Sequence, residues 1–370
     1  MVIPPPGPPQ WQVSWPKLRA AWPWIEALHA CPQDPQWHAE GDVGIHTEMV
    51  LCALVELPSY RALPPQQRWI VWLAALLHDV AKPRVTRTDP DGRITSRGHS
   101  SAGAIQARGL LWRLGVPFEV REAVCALIRH HQVPFFLIDR DGARGRAIRL
   151  SQVLRCDHLA LVALSDAQGR HAVDKQRLID NVELFNLLCE EHGVSSRPWP
   201  FASDHARVLC GLDSARDPLA PALPEPSFTV TVMSGLPASG KDTWLRTHEP
   251  DLPQVCLDDL RVALGVAPGG NQGRVIQAAK EQARIYLRAQ TPFAWNATNL
   301  SARRRASILG LCHDYGARVR IVCTEASPGE LEARNGSRAD PVPRRVIQRM
   351  IQGWEVPTPL EAHERVVVVS

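Results

Sequence analysis

At 370 residues, 45% of them apolar, the chain exceeds one typical domain and can supply cores for two. Its nine cysteines are scattered without a CxxC pair, which argues against a disulfide framework and fits reduced thiols. The start, MVIPPPGPPQ, has neither the basic residues nor the apolar stretch of a signal peptide, and no apolar run approaches a membrane span, so a soluble cytoplasmic protein with no membrane partner is expected.

Residues 1–10 are proline-rich and expected to be disordered. From Trp11 to Leu212 the apolar residues follow a helical period, in Met49–Leu57, Gln67–Leu77, Ala102–Leu114, Val120–Ile128, Ile148–Leu164 and Lys175–Leu188. Residues 11–212 are therefore expected to form an all-α domain. Eleven of the 14 histidines precede residue 206, a first hint of a metal site. The apolar helix Trp69–Leu77 runs into His78, Asp79 and, three residues on, Lys82, which sets adjacent metal-competent side chains at the end of a buried segment. His46 in GIHTEMV, His99 in RGHSSAGA, the doublet His130-His131 in LIRHHQVP and Asp166 in ALSDAQGR each lie at or near a helical segment. Taken singly, such residues are more often core or surface groups. Taken together, the imidazoles and carboxylates suit Mn, Fe, Ni, Co or Zn, and two such metals could share Asp79.

The stretch 213–227, DSARDPLAPALPEPS, holds four prolines and no usable period, and is expected to be an interdomain linker. Beyond it strand and helix alternate: strand Phe228–Met233, a helix from Lys241, strand Gln254–Leu257, a helix near Arg274–Ala289, strand Pro292–Trp295, a helix from Ser301, strand Arg318–Cys323, helices near Gly329–Asn335 and Pro343–Gly353, and a final strand Arg365–Val369. This predicts an α/β domain over 228–370 with a mostly parallel sheet covered on both faces. Residues 226–370 carry the whole of the formal net charge of +4, and 16 of their 18 basic side chains are arginine, suited to bidentate phosphate contacts.

The first strand of that domain leads straight into Gly235-Leu-Pro-Ala-Ser239-Gly240-Lys241, the strand, glycine loop and helix order of a nucleotide phosphate-binding loop. Backbone N–H groups there can cradle a phosphate while Lys241 bridges the β- and γ-oxygens. The loop implies ATP or GTP with Mg²⁺ as cofactor. Where Ser or Thr would present a hydroxyl to Mg²⁺ stands Asp242, followed by Thr243. A carboxylate can replace that ligand, or it can simply favour the helix N-terminus. The next strand ends in Leu257-Asp258-Asp259-Leu260-Arg261, two carboxylates and a cation at the edge where substrates bind in such folds.

The segments GLPASGKDTW, LDDLR, NATNLSARRR and RNGSRADPVP resemble the successive motifs of end-healing polynucleotide 5′-kinases, over essentially all of residues 228–355. The resemblance implies Asp258 as general base on a 5′-hydroxyl, Arg261 on the phosphate beside the acceptor nucleoside, and Arg338 as a lid arginine on the donor phosphates with Arg334 in support. For Arg303, Arg304 and Arg305, a solvated helix face and an RNA contact both stand. In the N-terminal half, WHAEGDVGIHT, LLHDVAKP, GHSSAGA and SDAQGR resemble the HD phosphohydrolase superfamily, in particular the HD module attached to bacterial CCA-adding enzymes, over residues 37–180. That resemblance implies His46, His78, Asp79 and Asp166 on one metal, and His99 and His131 on a second. His131 rather than His130 holds the superfamily position, and Lys82 would stabilise phosphate charge. His38, Glu40 and Asp42 read either as supports of the ligands or as surface polar groups. No nucleotidyltransferase module precedes this domain in the sequence, so a CCA-adding enzyme is not expected.

Both resemblances imply a bacterial bifunctional RNA end-healing protein: an HD phosphoesterase that clears a 2′,3′-cyclic, 2′- or 3′-phosphate, and a kinase that phosphorylates a 5′-OH. RNA ends, with DNA ends as a further acceptor, a nucleoside triphosphate and a downstream ligase are the expected partners. The alternative is a nucleoside or small-molecule kinase coupled to an HD nucleotide phosphohydrolase, and a third reading makes the HD half a metal-free RNA-binding scaffold.

Overall fold

The computed structural model describes residues 4–220, 225–267 and 270–370, and forms two compact units, one ending at Trp199 and one beginning at Pro200. Residues 1–3 of the proline-rich start and 221–224 of the expected linker lie outside the described residues. Residues 4–10, expected to be disordered, run into a turn closed by Trp11 N–H to the Gly7 carbonyl at 3.0 Å. The Trp11 ring then meets Tyr60 edge-on at 6.2 Å and lies under the guanidinium groups of Arg61 and Arg68.

The first unit is helical. Its central helix, Pro65–Leu77, opens with a proline, whose missing N–H costs nothing in a first turn, and buries every residue from Val71 to Leu77. An unbroken apolar run of this kind must be covered on all sides, and Val43–Glu56, Phe118–His130 and Cys156–Gln168 pack around it. Helix His99–Arg113 lies along Phe118–His130. Two glycines lie at close approaches beside these helices. A Cβ on Gly103 would come within 3.4 Å of the His78 carbonyl, and one on Gly169 within 2.6 Å of the Val50 backbone nitrogen. Both sit beside helices that carry expected ligands, so sterics here set how near those side chains come. A two-residue hairpin, Arg87–Thr88 against Ile94–Thr95, separates the HD segment from His99; it is too short to leave a periodic signal in the sequence.

In the second unit, strands β1 (Thr229–Ser234), β2 (Gln254–Cys256), β3 (Phe293–Asn296), β4 (Arg318–Glu325) and β5 (Glu364–Val369) form one sheet in the order β2-β3-β1-β4-β5. All four pairings are parallel. Val230 and Val232 bury against Ala279, Ala283, Leu287, Ile308 and Leu309 on one face, while Met233 packs with Trp244, Leu245 and Val322 on the other. The near-continuous apolar strands follow from burial on both sides. After β1 the chain crosses toward β2 and after β4 toward β5, so the carboxyl ends of β1 and β4 flank a topological switch point, where such sheets leave a crevice.

Helix Asp204–Leu212, read from the sequence as the end of the helical domain, belongs to this second unit. Arg207 donates to the carbonyls of Ala362 and His363, and the His205 and His363 rings stack with 2.9 Å between Nδ1 and Nε2. Its partners lie more than 150 residues away, beyond any local signal. Among the described residues no helix is long and apolar enough to cross a membrane. All nine cysteines are free thiols.

Candidate active sites

The end of the central helix places His78 and Asp79 deep in the first unit, and the neighbouring helices bring His46, His99, His131 and Asp166 to the same point. Every one of these side chains is buried. His78 Nδ1 donates to the Ala75 carbonyl at 2.7 Å, His99 Nδ1 to Ser96 at 2.8 Å and His131 Nδ1 to Ile128 at 2.8 Å. A carbonyl can only accept, so each Nδ1 carries a proton; His99 and His131, both held below the usual imidazole range by burial, are neutral and present a lone pair on Nε2. His46 Nδ1 lies 2.9 Å from Glu40 Oε1 but outside hydrogen-bond geometry. The Nε2 atoms then converge in pairs, His78 to His46 at 3.4 Å and His99 to His131 at 3.3 Å. Between His99 and His131 two lone pairs then face each other, which is unfavourable unless a cation lies between them.

Asp79 sits between the two pairs. Oδ2 lies 3.2 Å from His78 Nε2 and 2.7 Å from Lys82 Nζ; Oδ1 lies 3.4 Å from His99 Nε2 yet accepts no hydrogen bond among the described residues. A buried carboxylate oxygen without a donor, facing the Nε2 atom of His99, fits a divalent cation. Among the described residues three triads have ligand atoms all within 4.8 Å of one another: His38–Glu40–His46, His46–His78–Asp79 and Asp79–His99–His131, the last two sharing Asp79. Asp166 stands at the margin: its Oδ1 lies 3.2 Å from His46 Nε2 and is ion-paired with Arg170. A transition metal bound here would supply a hydroxide nucleophile and neutralise phosphate charge.

Burial opposes the Asp79 charge, but His78, Lys82 and His99 outweigh it and hold the carboxyl well below the usual range. Burial, with His99 and His78 beside it, pushes His131 down to about 3, so it stays neutral at physiological pH. Of the flanking groups, Glu40 orients the cluster, accepting from the His171 N–H at 2.9 Å and facing both His38 and His46. Asp42 does not: it caps helix Val43–Glu56 by accepting from Ile45 N–H at 2.8 Å. His130 stays outside the cluster. The sequence reading gave no role to Gln33, which accepts from Lys82 Nζ at 2.7 Å and lies in no motif, or to Arg170, which closes the SDAQGR segment and pairs with Asp166. A cleft of about 590 Å³ opens beside Lys82, His99 and Arg170.

In the second unit the glycine loop follows β1 at the switch point. A Cβ on Gly235 would lie 2.5 Å from the Thr324 carbonyl at the end of β4, so only glycine fits. Ala238 (φ +62°) and Gly240 (φ +102°) take left-handed conformations, which cost an alanine roughly 1 kcal/mol; strain of this kind collects in ligand cradles. The Ser239 hydroxyl turns inward to Thr324 Oγ1 at 2.7 Å and braces the loop from below. Lys241 Nζ donates to the Gly235 and Leu236 carbonyls at 3.2 and 2.9 Å, and burial pushes its pKa down to about 8. Asp242 lies in the first helical turn and accepts from Asn296 Nδ2, at the carboxyl end of β3, at 2.7 Å. Thr243 faces away, accepting from Arg246 at 3.4 Å. At the sheet edge it is therefore the carboxylate that is anchored, by a buried asparagine the sequence reading passed over.

Asp258 opens helix Leu257–Ala263 with its carboxylate largely in solvent and ion-paired to Arg261, whose Nε donates to Gln272 at 3.1 Å. Arg334 donates to Ser370 at 3.1 Å and to Glu330 at 3.3 Å, beside Gly240. Arg338 is exposed on a loop whose ends are tied by Asn335, through hydrogen bonds of 2.9 and 3.0 Å to the Val342 carbonyl and N–H. The charges of Asp242, Asp258 and Arg338 all act on Lys241. Arg305 departs from both readings of the arginine triplet. It is fully buried, bidentate to Glu361 at 2.6 and 3.0 Å, and donates to the Asn299 and Glu355 carbonyls. It ties helix Ala302–Asp314 to the segment before β5, and only Arg303 and Arg304 face solvent.

Residues 43–162 match the HD domain family and residues 230–357 the AAA domain family. The chain is 30% identical over 170 residues to the Multifunctional CCA protein of Psychromonas ingrahamii, covering 43% of this chain and 37% of that protein. It is 32% identical over 191 residues to that of Xanthomonas oryzae pv. oryzae, and 34% identical over 192 residues to that of Xanthomonas campestris pv. campestris; each match covers 49% of this chain and 43% of the relative. The chain thus spans less than half the length of these relatives. It carries a helical HD domain followed by a P-loop, kinase-like AAA domain on a parallel five-stranded sheet.

Proposed function

We propose that the protein heals RNA ends, with the HD domain removing a 2′,3′-cyclic, 2′- or 3′-phosphate and the P-loop domain transferring the γ-phosphate of ATP or GTP to a 5′-OH. The observation that carries this reading is the Asp258–Arg261 pair at the acceptor side of a loop whose Lys241 feels the charge of Asp258. In this reading the carboxylate would take the proton of an acceptor hydroxyl, and the arginine would hold a neighbouring phosphate. Joined to a buried His/Asp cluster suited to metal-assisted phosphate hydrolysis, the chain holds two phosphate chemistries that run in opposite directions. Broken RNA ends need both before a ligase can seal them. His46, His78, Asp79, His99, His131 and Asp166 would hold one or two metals, and Lys82 would meet the phosphate. The donor nucleotide and Mg²⁺ would be held by the Gly235–Thr243 loop with Arg334 and Arg338.

The test is an RNA carrying a 5′-OH and a 2′,3′-cyclic phosphate, incubated with ATP or GTP and Mn²⁺ or Mg²⁺ and analysed at both ends. Gain of a 5′-phosphate and loss of the terminal phosphate support the reading. Transfer to mononucleosides alone overturns it in favour of a nucleoside kinase coupled to a nucleotide phosphohydrolase.

A further inference from the structure

The cleft beside the His/Asp cluster holds more than a phosphate needs. Its volume of about 590 Å³ falls in the range of roughly 300–1,000 Å³ typical of ligand sites, and its wall combines aromatic and basic side chains. Trp37, half-buried, sits on a turn fixed by Asp34, whose carboxylate accepts from Gln36 N–H at 3.1 Å while its carbonyl accepts from Trp37 and His38. Phe136 lies on the short helix Val133–Phe136 just after His131 and is 39% exposed at the cleft, with its ring edge-on to the buried Phe135. Arg93 and Arg97, on the hairpin and the turn before His99, line the same cleft. Both are exposed, and neither side chain has an ion-pair partner among the described residues.

Aromatic planes beside unpaired arginines, on backbone held by its own hydrogen bonds, are the two elements of single-strand recognition: bases stack on the rings and phosphates follow the cations. A lone phosphate or a mononucleotide would leave the outer cations without a partner. We infer that this cleft binds the RNA 3′ end as a strand and not as a single nucleotide, with Trp37 and Phe136 stacking the last bases and Arg93 and Arg97 contacting the phosphates behind them. The inference rests on the RNA reading of the HD domain proposed above. It makes the hairpin a specificity element inserted between two parts of the metal-competent cluster.

The experiment compares, in the full-length protein, a short oligoribonucleotide ending in a 2′,3′-cyclic phosphate with a 2′,3′-cyclic mononucleotide. The expected kcat/KM ratio favours the oligonucleotide by about tenfold or more, the worth of one base stack. Arg93→Ala with Arg97→Ala should bring that ratio toward one through the oligonucleotide KM. It should also lower the slope of log affinity against log salt by about 1.4, two single-strand phosphate contacts. Trp37→Ala should raise the oligonucleotide KM about tenfold, and Trp37→Phe should restore it. A wild-type ratio near one, or an arginine variant that lowers kcat on both substrates equally, overturns the inference while leaving RNA end healing intact. Hydrolysis of bis-p-nitrophenyl phosphate with neither RNA substrate cleaved overturns the underlying reading as well.

Discussion

Asp79→Asn separates the roles of the buried carboxylate most cleanly, because the amide keeps the shape and removes the charge. In the wild-type protein Lys82 Nζ lies 2.7 Å from Asp79 Oδ2, with 8% and 2% of the two side chains exposed, and its other partner is the neutral Gln33. Removing one member of such a buried pair costs about 3–5 kcal/mol, because the remaining charge is left in a medium that solvates it poorly. The amide oxygen can still accept from Lys82, so the lower value of about 3 kcal/mol is expected here. In a unit of this size that lowers Tm by about 6–12 °C. Adding Lys82→Met should recover most of the loss, since no unpaired charge remains. Neither variant should retain metal: Asp79 is the member shared by two of the ligand triads, and even an outer partner of a metal ligand is worth about 10–100-fold in affinity. Thermal melts of apo protein, metal content by mass spectrometry and phosphoesterase rates, with 5′-kinase activity as an internal control, make up the assay. Full metal content in Asp79→Asn, or a double variant no more stable than the single one, would refute the argument.

Asp258→Ala should abolish 5′-phosphorylation and leave phosphoesterase activity and melting unchanged, since the carboxylate is 76% exposed and its only described ion pair is with Arg261; parallel loss of both activities in a folded variant would count against two separate sites. Arg305→Met should destabilise the second unit by about 3–5 kcal/mol, measured by urea unfolding, because Glu361 and two carbonyls lose their buried donor; a stability within experimental error of wild type would contradict the burial. Nucleotide affinity should be nearly constant below pH 8 and weaken toward tenfold per pH unit above it. Lys241 titrates at about 8 and must be cationic to meet a phosphate, so a proton has to be taken up from solution once the lysine is neutral. Calorimetric Kd values that stay flat to pH 9.5 would exclude that lysine as the coupled group.

Much of this molecule was legible from the chain because its signals are local. A glycine loop between an apolar strand and a helix is a contiguous nine-residue pattern, and the switch from a helical period to alternating strands fixes the class of each half. The ligand candidates could be named as well, since HD and the flanking histidines stand in short recognisable segments. Asp42, by contrast, sits beside Glu40 in the sequence and differs from it only in where the backbone turns: one caps a helix, the other faces two imidazoles. Arg303, Arg304 and Arg305 are consecutive and identical in chemistry, yet the helical rotation of about 100° per residue carries the third inward to Glu361.

Composition, period and motif by themselves determined that this chain has an all-α half with clustered histidines and an α/β half with a phosphate cradle. Only the tertiary structure decided that four imidazoles gather round the one buried carboxylate of Asp79, that helix Asp204–Leu212 joins the second unit, and that Asp242 is anchored by Asn296. The physical reason is range. Periodicity and turn chemistry act over a few residues, whereas these arrangements depend on hydrogen bonds and close backbone contacts between segments from about 30 to more than 150 residues apart.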